Sequence, residues 1–549
     1  MKYFVLPLAL LLVSGIAAYP QNHAADAHKT AGERPASLMT GLGSHHHPVS
    51  TDNAEAQRFF DQGLTFIYAF NHEEAVRSFK RAAELDPRLS MAYWGIALAL
   101  GPNINLDVDP AREKAAYEAA QQALSLAAKA PENERAYVEA VAKRYSIDPK
   151  ADLKRLAVDY KNAMGELVKR YPDDLDAATL YAESMMNLRP WQLWGKDGKP
   201  AEGTEEIIVT LESVLRRNPN HIGAIHYYIH TVEASPNPER ALGYVARLAS
   251  LVPAAGHLVH MPAHIYMRTG DYAAAARSNK DAAEADQAYI RTSGVQGVYP
   301  LMYYNHNLHF LAHAYSMAGQ FADAMKAARQ LEGNVGPHVN AMPMLEGFMP
   351  TPTMILVRFR RWDDILKSSE PDRAMPITNA IWHYARGMAY VATGKTESAE
   401  NELKSLTAAR KAMPAQASLG LNSASSVLSI AENVLSARIS VARRDMKSAI
   451  DLLAKAVEQE DALNYDEPPG WDSPVRESLG GALLLDGKPA EAEKVFRADL
   501  VKNPRNGRSL FGLMESLKAQ GKKHAAQSVQ MEFESAWKNA DAQLRLEDL

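Results

Sequence analysis

No cysteine occurs in the 549 residues. That excludes disulfide staples, a thiol nucleophile, thiolate zinc sites, covalent c-type haem attachment and a lipoprotein anchor. Positive charge is not in excess either. Lys and Arg number 60 against 65 Asp and Glu, a formal net charge of −5, which argues against nucleic acid as a partner. Alternating runs of Val, Ile and Thr that would read as strands are scarce, so almost no sheet is expected. No Walker or dinucleotide glycine motif stands between a strand and a helix, so no nucleotide cofactor is expected. Past the amino-terminal end, no apolar run is long enough to span a membrane.

What is present begins with residues 1–18: Lys2, an apolar run from Phe4 to Val13, then the small residues Ser14-Gly15-Ile16-Ala17-Ala18. This is the layout of a cleaved secretory signal peptide, so a periplasmic or secreted protein without a membrane span after cleavage is expected. Residues 19–50 lack periodicity and carry His23, His28 and the run His45-His46-His47. They read as a flexible, histidine-containing leader.

The rest is repetitive. In AQRFFDQGLTFIYAFNHEEAVRSFKRAAELDP, residues 56–87, Gly63, Ala75, Phe79, Ala82 and Pro87 fall at repeat positions 8, 20, 24, 27 and 32. This is the tetratricopeptide signature: small residues let two antiparallel helices approach, and the proline ends the second. The register returns from Ser473 through Gly480, Gly487, Ala492, Phe496 and Pro504, and again 34 residues later from Gly507. Roughly eleven helix pairs are expected, forming an all-α, right-handed superhelical solenoid with a few inserted loops. Residues 51–172 form the N-terminal repeats, 173–345 the central ones, 346–470 degenerate repeats and 471–549 the C-terminal ones.

Central units begin at Ile222, Gly256 and Asn305. Positions 2, 5 and 9 of their first helices hold His226 and His230, then His257, His260 and His264, then His306, His309 and His313. Eight of the 18 histidines therefore share one register, with Glu183 at position 9 of the preceding unit. Residues four apart on a helix have Cβ atoms about 5 to 6 Å apart, so paired imidazoles converge on one ion. Such a donor set suits zinc, copper, iron or nickel, and does not suit calcium or magnesium. Two clusters of three histidines would hold two metals, in the manner of coupled copper centres. Pro262, between His260 and His264, removes a backbone donor and should kink the helix, either widening the gap between the imidazoles or aiming them inward.

Two insertions carry further candidates. Residues 187–200 bring Trp191 and Trp194, a lid over the groove or packing on the solenoid edge. Residues 464–478 bring Asp466, Glu467, Trp471 and Arg476 together, a general base or a salt-bridged cap. Tyr227, Tyr303 and Tyr304 flank the ladder as ligand donors or as ordinary packing.

The chain resembles the tetratricopeptide superfamily, whose positions 2, 5, 9, 12 and 13 line the concave wall, so the resemblance turns the ladder toward the groove. Members that clamp acidic peptide termini use Lys, Arg and Asn there, whereas this chain has His. The segments YWGIALALGPNIN, HYYIHTVEAS, GHLVHMPAHIYMRTGDY and EPPGWDSPVRESLG further resemble a group of large exported bacterial tetratricopeptide proteins, which implies the fold and export. The leading expectation is a groove that binds a transition metal, in a metal carrier, an assembly factor or a metal-dependent enzyme. The alternative is a scaffold that binds a peptide or partner protein in the same groove. N-terminal sequencing of exported protein should begin near Ala18 or Tyr19, and an intact Met1 in that fraction would refute cleavage.

Overall fold

The computed structural model describes residues 36–549, so the expected signal peptide, His23 and His28 lie outside the described residues. Among the described residues, twenty-five α-helices follow one another in antiparallel pairs. The N-terminal pairs are α1 (Ala54–Tyr68) with α2 (His72–Leu85), α3 (Ser90–Leu100) with α4 (Pro110–Ala127), and α5 (Glu132–Ala142) with α6 (Leu153–Arg170). Then come α7 (Leu175–Met186) with α8 (Thr204–Arg217) and α9 (Ile222–Val232) with α10 (Leu242–Leu251). The next first helix is broken into α11 (Gly256–His260) and α12 (Pro262–Thr269), paired with α13 (Tyr272–Ser293), and α14 (Tyr304–Met317) pairs with α15 (Phe321–Val335). The remainder are α16 (Thr351–Arg358) with α17 (Trp362–Lys367), α18 (Pro376–Ala392) with α19 (Thr396–Ala412), α20 (Ala424–Ala442) with α21 (Met446–Asp461), α22 (Val475–Leu485) with α23 (Pro489–Lys502), and α24 (Gly507–Ala519) with α25 (Lys523–Ala536). These make twelve pairs, close to the expected number. A hairpin of two-residue strands, β1 (Ser418–Leu419) and β2 (Asn422–Ser423), is the sheet among the described residues. No helix among them is long and apolar enough to cross a membrane.

Local sequence explains the helix limits. Asn53, Asp109, Asp174 and Asp271 accept from backbone N–H groups of the first turns that follow them, satisfying donors that have no intrahelical partner. The signature residues do the packing. The Phe79 ring lies between Gly63 of its own pair and Gly95 of the next, where any Cβ would overlap it. Phe496 sits in the same way between Gly480 and Gly512.

The coil is wound tightly enough for distant repeats to touch. At the end of α1, Tyr68 packs on Gly223 at the start of α9. Tyr272 donates to the Pro504 carbonyl at 2.9 Å, and the Asp541 N–H donates to the Gly319 carbonyl at 3.1 Å. Lys196 in the loop after α7 donates to the Ala462 carbonyl after α21. The expected groove is therefore closed along most of the ladder, whose rungs are buried apart from the half-buried His306 and His309.

The flexible leader also needs correction over residues 36–50, which pack as a strap on α1 and α7. Gln62 holds the strap through the Met39 N–H at 2.8 Å and the Ser37 carbonyl at 3.0 Å. Glu134 accepts from the Ser50 hydroxyl at 2.7 Å, and Leu42 and Val49 are buried. Its polar groups find partners on the repeats, so the segment is ordered without any periodicity of its own.

Because Phe79 is fully buried between two glycines that cannot fill its volume, Phe79→Ala should cost about 3–5 kcal/mol. Urea denaturation of wild type and variant would measure this. An unchanged midpoint would refute the interlocking role of the ring.

Candidate metal centre

Six of the eight ladder histidines meet in two adjacent triads. His226 and His230 of α9 join His257 of α11, while His260 of α11 joins His264 of α12 and His306 of α14. Within each triad one nitrogen from every ring lies within 4.8 Å of the other two. In the first, Nε2 of His226 and Nε2 of His257 are 3.1 Å apart. In the second, Nε2 of His260 and Nε2 of His264 are 2.7 Å apart. The break at Pro262 spans one residue, Met261, which keeps helical dihedrals, so the proline aims His260 and His264 at one point.

The outer nitrogens are anchored. His226 Nδ1 donates to the Tyr68 carbonyl at 2.6 Å, and His230 Nδ1 to Glu233 Oε1 at 2.7 Å. Asn279 gives its amide hydrogens to the Ala275 carbonyl at 2.8 Å, so its Oδ1 accepts from His260 Nδ1 at 2.6 Å. His264 Nδ1 lies against Glu233 Oε2 and, at 3.3 Å, Glu467 Oε2. With Nδ1 committed as donor in His226, His230 and His260, the Nε2 of each turns its lone pair inward. His230 Nε2 is buried there without a hydrogen-bond partner.

Burial, the largest influence, holds His226, His257, His260 and His306 well below the usual imidazole pKa, and the neighbouring rings push the same way. Burial also lowers His230, against the pull of Glu233. His264 differs: burial opposes its charge, but Glu233 and then Glu467 outweigh burial and lift it to about 10. Aromatic rings close the walls. Phe70 stacks on His230 and His257, Phe310 lies 5.0 Å from His260, and Tyr303 meets His257 edge-on at 5.0 Å.

Several candidates lie elsewhere. His313 is seven residues along α14 from His306, about 10 Å further up the helix, and its burial beside Arg358 lowers it to about 3. His309 packs on Phe348 at 5.4 Å, and burial lowers it to about 4. Glu183 is taken by Asn187. Tyr227 packs against Tyr68 and Phe70 behind the ladder. The Tyr304 hydroxyl faces away, accepting from Gln287 at 2.7 Å and Gln330 at 2.9 Å. Trp471 packs on Tyr384, and Arg476 pairs with Asp461 at 2.6 Å, so that insertion supplies the centre with Glu467 and Tyr465 alone. Trp191 does reach the centre, edge-on to His230 at 5.5 Å, and Trp194 is held by the Thr231 carbonyl at 2.6 Å.

No family model matches the chain, and no curated protein matches it. Its likenesses are to solved structures. The human IFIT1 dimer with m7Gppp-AAAA is 15% identical, with 89% of this chain and 91% of that one covered and a TM-score of 0.34. An APC/C hetero-tetramer, Cut9-Hcn1, is 11% identical, with 92% and 78% covered and a TM-score of 0.31. The P58(IPK) TPR domain is 11% identical, with 86% and 99% covered and a TM-score of 0.23. At such scores they carry no argument about function, and the repeat fold rests on the helix pairs described above.

Sequence reasoning missed Glu233, Asn279, Tyr68 and Phe70. Only Glu233 had a local signal, three residues after His230 on the same face. It also missed a second cluster, around Asp176. This carboxylate accepts from Tyr68 at 2.5 Å, His45 Nε2 at 3.0 Å, His47 Nδ1 at 2.9 Å and His221 Nε2 at 3.2 Å. His221 Nδ1 accepts from the Ala224 N–H at 3.2 Å as the cap of α9, so its Nε2 carries the proton. The cluster is a hydrogen-bonded staple for the strap.

That staple depends on pH. Despite burial, its imidazole partners hold Asp176 well below its usual 3.8, a contribution present above that value and lost as pH falls through the depressed one. His47 is raised above 6.5 because Asp176 outweighs burial, a contribution present below 6.5 and lost as pH rises through the raised value. Amides of residues 45–50 should therefore be better protected from hydrogen exchange at about pH 5.5 than at about pH 9. Asp176→Asn should remove the difference, and equal pH dependence in that variant would refute the staple.

Proposed function

We propose that this exported repeat protein is a metalloprotein with a paired centre, one transition-metal ion per histidine triad. The observation that carries the reading is the orientation of the rings: Nδ1 of His226, His230 and His260 is anchored by Tyr68, Glu233 and Asn279, and their Nε2 atoms face into the triads. Neutral imidazoles at this spacing suit zinc, copper, iron or nickel. Three protein donors leave each ion an open coordination position, the arrangement of reactive rather than purely structural sites.

Burial supports a resident centre over a carrier or assembly factor. His226, His257, His260 and His264 are each no more than 2% exposed, so cargo exchange would require the solenoid to open. It also weighs against the peptide-scaffold reading for this surface, because a peptide needs an open wall and this one is covered by Phe70, Trp191 and the loop carrying Glu467.

Elemental analysis of protein purified without an affinity tag should find two ions per chain. His260→Ala with His264→Ala should leave one, His226→Ala with His230→Ala should leave the other, and exposed His524→Ala should keep both. Equal metal content in wild type and both double variants would refute the centre.

A further inference from the structure

Away from the histidine rings, a cavity of about 550 Å³ opens between the turn that joins α16 to α17 and the segment 542–548. Small-molecule sites occupy about 300–1,000 Å³, so this one has room for an organic ligand. Its lining sets four guanidinium groups against two carboxylates and adds three aromatic rings. None of the triad histidines borders it.

Two of the guanidinium groups are already committed. Arg358 and Arg508 both bind Glu477, at 3.2 and 2.6 Å, and form a fixed wall. Arg360 is not committed in this way. Its Nε faces Asp548 at 3.2 Å, and its two Nη groups make no hydrogen bond to another of the described residues. The guanidinium carbon lies 6.0 Å from the centre of the Trp362 ring, so a cation and an aromatic face are presented together. Burial and the neighbouring Arg438 and Arg508 hold Arg360 below the usual guanidinium range, against the pull of Asp548. A cation among cations is stabilised by a further anion.

Backbone conformation singles out the same residue. The turn after the first helix of a pair takes a left-handed residue, and five pairs place glycine there: Gly270, Gly319, Gly394, Gly487 and Gly521. Arg360 holds the equivalent position at a φ of 54°, a conformation that a Cβ disfavours. Phe70 and Arg444 do the same in their own pairs. The Phe70 ring packs on the first histidine triad, whereas Arg444 is exposed. Arg360 resembles Phe70 in directing its strained position at an enclosed space.

We propose that this cavity binds a small aromatic molecule carrying a phosphate or carboxylate group, with the Nη edge of Arg360 holding the oxyanion and Trp362 taking the face of the ring. The planar fork of a guanidinium matches either oxyanion, and the aromatic lining selects a flat, apolar body. The site is separate from the histidine triads and does not depend on the two-metal reading.

The test is calorimetric titration of the full chain with phenyl phosphate and with benzoate. Inorganic phosphate and phenol serve as controls for charge without a ring and a ring without charge. At least one of the two aromatic anions should bind about tenfold more tightly than either control, and the tighter of the two identifies the oxyanion. Arg360→Gly takes up the conformation that five other pairs already use, so it should keep the helical circular dichroism of wild type. It should nonetheless weaken binding of that anion about tenfold or more. Trp362→Leu should weaken it as well while leaving inorganic phosphate unchanged. Aromatic anions that bind no better than the controls would overturn the proposal. So would tight binding that survives in folded Arg360→Gly and in Trp362→Leu, because the anion would then sit elsewhere on the chain.

Discussion

The Glu233 carboxylate is 1% exposed, and each of its oxygens faces an imidazole Nδ1, one in each triad. A buried carboxylate is tolerated only with such partners. Burial opposes its charge, yet His264 and His230 hold it ionised down to about 2. It thereby orients one ring of each triad and gives the interior a fixed negative charge. Glu233 caps the end of α9, so this electrostatic tie comes from the same helix that carries His226 and His230.

Around that tie the solenoid closes. Tyr68 joins the two clusters, its carbonyl accepting from His226 and its hydroxyl donating to Asp176, which in turn staples the strap. From the other side the loop after α21 brings Glu467 to His264, and the loop after α7 brings Trp191 to His230. An ordinary repeat array touches only nearest neighbours. Here two of the contacts at the site, Tyr68 with His226 and Glu467 with His264, join residues more than a hundred positions apart, so the repeat array folds back over its own wall. Enclosure strengthens every charge interaction within it and keeps water from the rings.

Much of the architecture was legible from sequence. The 34-residue register placed Gly63 and Phe79, and it predicted first helices at Ile222, Gly256 and Gly507, where they begin. The three histidine-bearing helices were legible for the same reason: repeat register is a local, periodic property. Register also misled. It grouped His309 and His313 with the rest, although position along a helix axis, and not only helical face, decides which side chains reach a common point. Glu183 shared the register, but Asn187 one turn later engages it.

By itself the sequence determined the helix pairs, their capping and packing residues, and the chemical type of the inward-facing donors. These follow from short-range spacing and side-chain identity. Only the tertiary structure decided that the groove is closed, that six histidines divide into two triads, and that Glu233, Glu467, Tyr68 and Asn279 direct them. The physical reason is that superhelical winding accumulates from small rotations at every helix contact. No local pattern encodes which distant loop will meet which ring.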